Sequence, residues 1–307
     1  MQGVLNGFTT IGLVIAVGAL LAHLGVVDLS AQHLLSRLAF FVASPALMVV
    51  TLSHADVHQV LSANLGASAA GVLVAGGVYV LLARLLWRRS MGDTTIGALS
   101  SSYVNAGNLG IPVASYVLGD AAFVAPTLLF QLIVFQPIAL GFLDADVRGG
   151  RSSWWLLLAR PLRNPLTVGS LIGLGLALTG WTLPTMVAAP LGLLGDMAVP
   201  SMLVAYGIAL RLGPGLGRAG SVAELATTST LKLLVQPAVA WFVASVLLGV
   251  DGHTLLAIVV TSALPTAQNI FVHATRYDRA TTLARDTILI TTIGAVPVIL
   301  LVAALLG

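Results

Sequence analysis

Long apolar segments separated by short connections are the feature that most restricts how this chain can fold. A helix needs about 20 largely apolar residues to cross about 30 Å of hydrocarbon, and ten segments of the sequence meet that requirement. Spans surrounded by lipid are α-helices, because a helix satisfies its own backbone hydrogen bonds. The sequence therefore predicts an all-α polytopic membrane protein with ten transmembrane helices. Their predicted bounds are 4–24, 33–53, 63–84, 95–119, 121–143, 164–181, 185–210, 222–248, 253–275 and 282–306.

Charged side chains are too scarce for a water-soluble fold. Asp, Glu, Lys and Arg make up 8% of the 307 residues, and hydrophobic residues make up 58%, whereas a soluble domain has about 25% charged residues. The formal net charge of +3 is also too small for a nucleic-acid-binding surface. The sequence contains no cysteine, which excludes disulfides and thiolate metal sites. We expect no nucleic acid, metal or other cofactor to be bound.

The arginines indicate the orientation of the chain, because Arg and Lys accumulate in cytoplasmic loops. With ten spans and an external N-terminus, every arginine falls on the cytoplasmic side. They are Arg37, Arg84, Arg88, Arg89, Arg148, Arg151, Arg160, Arg163, Arg211, Arg218, Arg276, Arg279 and Arg285. No Lys or Arg precedes the first apolar segment, as it would in a cleavable signal peptide, so that segment is interpreted as the first span. Both termini are then predicted to lie outside.

The two halves of the sequence repeat each other. Glycines and prolines recur in the same order at an offset of 153 to 155 residues: Gly18 with Gly173, Gly25 with Gly180, Pro45 with Pro200, and Pro112 with Pro265. Five spans is an odd number, so the second copy must enter the membrane the other way up, as in many secondary transporters. The predicted organisation is a first five-helix repeat (1–143), a short cytoplasmic loop (144–163) and an inverted second repeat (164–307).

The fourth and ninth spans are predicted to be broken helices. The fourth contains Asn-Ala-Gly-Asn-Leu-Gly-Ile-Pro at 105–112, and the ninth contains Ser-Ala-Leu-Pro-Thr-Ala-Gln-Asn at 262–269. Glycine and proline both disfavour an uninterrupted helix, and breaks at corresponding positions of two repeats indicate a transport site. The alternative is a pair of kinked helices whose amides bond neighbouring helices. The candidate substrate-binding residues are Asn105, Asn108, Gly110, Pro112, Pro265, Gln268 and Asn269.

Three ionisable side chains inside the spans are candidates for ion coupling. Asp196 is the only acid well inside a span, and an ionisable group there indicates function by default. It would carry a proton or ligate Na⁺. Lys232, in the eighth span, would pair with Asp196 structurally, take part in coupling, or attract an anionic substrate. His273 lies one turn beyond the ninth-span break and would relay protons or bond a neighbouring helix. We expect H⁺ as the coupling ion, with Na⁺ as the alternative.

The motifs also resemble those of a known family. Residues 105–112 resemble the Asn-x-Gly-Asn-x-Gly-x-Pro segment of the auxin efflux carrier family, also called the PIN-like or malonate-permease family. Residues 265–272 with Arg276-Tyr277 resemble its second signature, and 163–166 resemble its usual entry into the sixth span. The resemblance implies ten spans in two inverted repeats, similar to the bile-acid symporters, with the fourth and ninth spans crossing at their prolines beside the substrate.

The same resemblance implies transport of small organic anions such as malonate, malate or indole-3-acetate, and a homodimer. The long loop that plant members carry between spans five and six is missing here, which is typical of a prokaryotic relative in a bacterial inner membrane with periplasmic termini. The prediction is a secondary active transporter that works by alternating access. Its partners would be the organic anion, H⁺ or Na⁺, and the lipid bilayer.

A channel and an intramembrane hydrolase are the alternatives of another class. An aspartyl protease needs two facing acids, and only Asp196 qualifies. A serine protease needs a base beside its nucleophile, and Ser170 and Lys232 lie in no recognisable motif. The zinc motif His-Glu-x-x-His is absent, since Glu224 is the only glutamate. We therefore expect that the protein is not an enzyme. The paired helix breaks favour a carrier over a channel.

Overall fold

The computed structural model describes residues 2–54, 63–148, 164–212 and 221–307, and regular structure in these ranges is helical apart from one isolated β-bridge. The predicted loop 144–163 begins within a helix, and its part 149–163 lies outside the described residues. The helices are α1 (Gln2–His23), α2 (Leu29–Ser53), α3 (Ala63–Leu85), α4 (Met91–Ser102), α5 (Ile111–Val117), α6 (Ala121–Val147), α7 (Pro165–Thr179), α8 (Thr185–Leu212), α9 (Val222–Leu247), α10 (Gly252–Ser262), α11 (Asn269–Tyr277) and α12 (Thr281–Leu306).

Six of these helices are long and apolar enough to cross a membrane, namely α2, α3, α6, α8, α9 and α12. Shorter apolar helices occur at 9–23, 165–179 and 252–262. The prediction of an all-helical polytopic membrane protein is therefore confirmed. Most of the predicted bounds lie within a few residues of the observed ones.

Two helices begin four residues before their predicted spans. The Asp28 carboxylate accepts hydrogen bonds of 3.0 Å from the backbone N–H groups of Ser30 and Ala31, so α2 begins at Leu29 rather than at 33. The Ser90 hydroxyl accepts from the Asp93 N–H at 3.1 Å, so α4 begins at Met91 rather than at 95. Such caps satisfy the first N–H groups of a helix, which lets it extend past its apolar part.

Widened helical turns accommodate prolines inside the spans. Five-residue π turns at 39–43, 131–135 and 231–235 each end two residues before a proline, at Pro45, Pro137 and Pro237. A fourth, at 106–110, stands in the same relation to Pro112. A proline has no N–H and clashes with the carbonyl four residues earlier, and a π turn is a usual cause of a local bend. Gln131 and Lys232 lie in two of these turns.

The chain folds into two compact units, and each unit draws on both halves of the sequence. The first comprises 1–62, 107–129 and 161–214. Its helices approach closely at glycines. A Cβ at Gly169 would lie 2.6 Å from the Pro45 carbonyl oxygen, and one at Gly173 would lie 2.7 Å from the Met48 carbonyl oxygen. Small residues let helix backbones approach in this way, so α7 packs directly on α2.

The second unit comprises 63–106, 130–160 and 215–307. A buried apolar cluster there includes Ile96, Leu99, Tyr103, Leu143 and Ile270, contributed by α4, α6, α11 and the segment after α4. This cluster lies beside the two helix breaks. It anchors the segments in which the chain leaves helical geometry.

Candidate functional site

Two non-helical segments of the second unit, residues 103–105 and 263–268, meet directly. Together with Asn269, which begins the next helix, we call them the junction. The N–H of Asn105 donates to the Pro265 carbonyl at 2.8 Å, and the N–H of Ala267 donates to the Tyr103 carbonyl at 3.1 Å. Between these bonds lies the antiparallel bridge of Val104 with Thr266. The ninth span is therefore interrupted at Pro265, as predicted, whereas the fourth is interrupted at 103–105, just before its glycines and Pro112. The two interruptions pair.

Further hydrogen bonds between side chains and backbone connect the junction to neighbouring helices. The Gln131 amide binds both sides of Val104, accepting from its N–H and donating to its carbonyl at 3.0 Å. The Thr266 hydroxyl donates to the Ser100 carbonyl, and the Thr266 N–H donates to the Thr291 hydroxyl at 3.1 Å. Unwound backbone at membrane depth must be satisfied by protein or line a cavity. The junction meets that condition by using polar side chains inside apolar spans.

Four of the seven predicted substrate residues lie at the junction. They are Asn105 and Pro265, both buried, and Gln268 and Asn269, both partly exposed. The Tyr103 hydroxyl donates to Gln136 Oε1 at 2.7 Å and also hydrogen-bonds the side chain of Asn269. Asn269 begins α11, where the helix dipole places partial positive charge. The junction thus combines amide groups, a phenol and the start of a helix.

The other three predicted substrate residues belong to the first unit. Asn108 and Gly110 lie in the π turn at 106–110, and Pro112 is the second residue of α5. Asn108 is partly exposed, whereas Gly110 and Pro112 are buried. The structure therefore brings the predicted residues together in two groups, one in each unit.

The sequence did not indicate Tyr103 as a junction residue or Gln131 as a side chain that binds the junction. Gln131 is 2% exposed and Tyr103 is 3% exposed. A detectable signal existed for Gln131, because a lone amide inside an apolar span is costly unless it is hydrogen-bonded. Tyr103 carries no comparable signal, since a tyrosine near a helix end is common in membrane proteins.

The three candidate coupling residues have different surroundings. Lys232 is fully buried, and its ammonium donates to Gln236 Oε1 at 2.7 Å and to the Ser262 carbonyl at 3.0 Å. Asp196 is exposed in the first unit, at the last residue before α8 turns at Met197. His273 is partly buried on α11. Within the described ranges, no group of three or more His, Cys, Asp or Glu could hold a metal ion.

One end of the second unit is held by ion pairs. Arg89 binds Glu224 through two contacts of 2.6 and 2.7 Å, and this hydrogen bonding raises the pKa of Arg89. Arg279 binds Asp146 at 2.8 Å, which raises the pKa of Arg279 in the same way. Arg285 binds Asp286 at 2.9 Å. Charge-assisted bonds of this kind are stronger than neutral ones. The pairs of Arg89 with Glu224 and of Arg279 with Asp146 connect parts of the chain that are far apart in sequence.

Comparison with known proteins identifies the family. A family model described as membrane transport protein matches residues 8–143 and 151–303. An "Uncharacterized transporter" of Methanothermobacter thermautotrophicus is 27% identical over 283 residues, which cover 91% of this chain and 90% of the relative. A "Putative malonate transporter" of Rhizobium meliloti is 25% identical over 268 residues, which cover 85% of this chain and 83% of the relative.

A third relative is a plant protein, "Auxin efflux carrier component 3a" of Oryza sativa subsp. japonica. It is 28% identical over 150 residues, which cover 48% of this chain and 24% of the plant protein. The family model covers nearly the whole chain, so the match does not depend on a short motif. This chain therefore belongs to the membrane transport protein family, that of the auxin efflux carriers, and is a transporter rather than an enzyme.

Proposed function

We propose that this protein is a secondary active transporter that moves small organic anions, such as malonate, malate or auxin-like carboxylates, across the bacterial inner membrane by alternating access. The observation that carries the proposal is the junction. Two interrupted helices pair through their unwound backbone, and amide side chains surround the pair. Interrupted helices that meet near the bilayer midplane form the binding sites of many secondary transporters.

The proposed topology has ten spans in two inverted five-helix repeats, with both termini in the periplasm. In this scheme α4 with α5 forms the fourth span and α10 with α11 the ninth, and the two cross at Pro112 and Pro265. The offset of 153 residues between these prolines supports the repeat. Family resemblance further supports a homodimer.

The substrate carboxylate would be held by neutral donors. The amides of Asn105, Gln268 and Asn269 each offer N–H groups, and the start of α11 offers the partial positive charge that favours anions at helix N-termini. Asn108, which follows Asn105 on the same interrupted span, completes the proposed set with Gly110 and Pro112. The name of the Rhizobium meliloti relative supports a dicarboxylate as the first substrate to test.

We assign coupling to H⁺, carried by ionisable side chains within the spans. Asp196, Lys232 and His273 are the proposed coupling residues. A group that changes protonation at membrane depth alters the local charge that the anion meets. A proton gradient would then drive accumulation of the anion against its own gradient.

Uptake of radiolabelled malonate and malate into proteoliposomes tests the proposal, with a pH gradient or a Na⁺ gradient imposed separately. Wild-type uptake is expected to saturate and to follow the pH gradient. Asn269→Ala is expected to lose most uptake, because it removes a junction amide. Gln32→Ala, which removes a partly buried amide from α2, is the matched control and should transport normally. Uptake of neither acid under either gradient would refute the substrate class, and non-saturable uptake would indicate a channel.

A further inference from the structure

Lys232 is the only lysine of the chain and lies fully buried on α9. The π turn at 231–235 places it one turn before Gln236-Pro237. Its ammonium has two oxygen partners, Gln236 Oε1 at 2.7 Å and the Ser262 carbonyl at 3.0 Å. A buried cation at membrane depth costs free energy unless neighbouring charges or backbone carbonyls stabilise it.

The Ser262 carbonyl belongs to the last residue of α10, at the start of the junction. The final carbonyls of a helix have no partner within the helix and carry the negative end of its dipole. In transporters with interrupted helices, such carbonyl ends coordinate Na⁺ or H⁺. Backbone and side-chain amide carbonyl oxygens are also ligand types that hard cations take in proteins. The Lys232 ammonium therefore occupies a cation position.

No carboxylate neutralises this ammonium among the described residues. The helices packed against the π turn at 231–235 are α3, α4, α12 and the rest of α9, and α10 contributes the Ser262 carbonyl. No acidic residue lies within α10 at Gly252–Ser262. Their carboxylates are bound elsewhere: Glu224 by Arg89, Asp286 by Arg285, and Asp93 by the N–H of Ala280. Tyr79 packs against Trp87, and Arg84 donates to the Arg89 carbonyl. Helix-end and amide dipoles thus stabilise the positive charge.

The orientation of Gln236 suits a donor at residue 232. Its Oε1 faces the side-chain nitrogen of Lys232, while its buried Nε2 has no hydrogen-bond partner among the described residues. A buried donor without a partner is destabilising. Rotating the amide would place its NH₂ against an ammonium, which has three donors and no acceptor. The observed orientation is therefore compatible with a cation at this position.

We propose that the Lys232 ammonium is the built-in cation of this transporter. It occupies, at the carbonyl end of α10, the position in which a Na⁺-coupled carrier would bind its ion. Transport then requires a positive charge at residue 232 and does not require Na⁺. This inference rests on the proposed function and gives Lys232 the role of a constant charge, which leaves the change of protonation to the other proposed coupling residues, Asp196 and His273.

Malonate uptake by the full-length protein in proteoliposomes tests this role, at one fixed pH gradient in Na⁺ medium and in choline medium. The wild type is expected to transport equally in both media. Lys232→Met is expected to lose about 10- to 100-fold of uptake in both, the range for losing hydrogen bonds to a charged group. Leu234→Met, which changes an exposed side chain of the same turn, should transport normally. Wild-type uptake that requires Na⁺, or full uptake by Lys232→Met, would overturn the proposal.

A second measurement depends neither on transport nor on folding of the variant. Because the chain has one lysine, ¹⁵N-labelled lysine gives a single side-chain signal in NMR spectra of the wild type. An ammonium signal that is unchanged when NaCl replaces choline chloride is the expected result. A signal displaced by Na⁺ would overturn the proposal. If the wild type takes up no malonate while this signal behaves as expected, the proposed substrate class fails and the built-in cation stands.

Discussion

The side chain of Gln131, on α6, hydrogen-bonds the backbone of the junction. Replacing it is the most direct test of how the helix break is stabilised. Its side-chain amide accepts from the N–H of Val104 and donates to the Val104 carbonyl at 3.0 Å. Gln131 is 2% exposed and Val104 is 1% exposed, so water cannot replace these bonds. Gln131→Leu keeps a side chain of similar size and leaves the N–H of Val104 without a partner, while the Val104 carbonyl keeps its bond of 2.8 Å from the Ala106 N–H.

The size of the effect follows from the two lost bonds. The orphaned N–H costs about 1–3 kcal/mol, and the bond lost by the carbonyl, which keeps another donor, costs about 0.5–1.5 kcal/mol. The greater burial of apolar surface by leucine offsets roughly 1 kcal/mol, so the free energy of unfolding is expected to fall by about 0.5–3.5 kcal/mol. At about 2–4 °C per kcal/mol for a chain of this order of length, the thermal midpoint should drop by about 1–14 °C.

Thermal unfolding of the purified protein, followed by tryptophan fluorescence, measures this shift. Ile133→Leu is the matched control, because Ile133 lies on the same helix and is 38% exposed. Malonate uptake by Gln131→Leu should also fall, since the junction loses its support. An unfolding midpoint equal to that of the control would refute the view that Gln131 stabilises the unwound backbone.

Two further predictions concern packing and the ion pairs. Gly173→Ala should lower the free energy of unfolding by about 1–3 kcal/mol, because its methyl group would meet the Met48 carbonyl. Gly175→Ala, with open space around it, is the control and should raise the free energy of unfolding by up to about 1 kcal/mol. Equal thermal midpoints for the two variants would contradict the close packing of α7 on α2. Glu224→Gln should cost about 1–2 kcal/mol through loss of the partly exposed Arg89 pair. Pairing raises the pKa of Arg89, so the stability that the ion pair contributes is complete below the ordinary arginine pKa and should stay constant between about pH 7 and pH 10. A difference in stability between wild type and variant that becomes smaller within this range would contradict the assignment.

The positions of the spans could be predicted from the sequence, because hydrophobicity and proline act locally. The predicted span 63–84 agrees closely with α3 at Ala63–Leu85, and the predicted span 282–306 agrees closely with α12 at Thr281–Leu306. The interruption at Pro265 was predictable for the same reason, since a proline lacks its N–H in any surroundings. The early starts of α2 and α4 were missed because capping by a polar residue is not counted by hydropathy.

Only the tertiary structure decided which groups meet. Gln131 binds Val104, 27 residues away, and Lys232 binds the carbonyl of Ser262, 30 residues away. A sequence shows that a buried amide or ammonium needs partners, but many backbone groups would satisfy it equally. The choice among them follows from how the helices pack and where their turns widen. The sequence by itself therefore determined that the chain spans a membrane and where its helices break, while packing determined what those breaks bind.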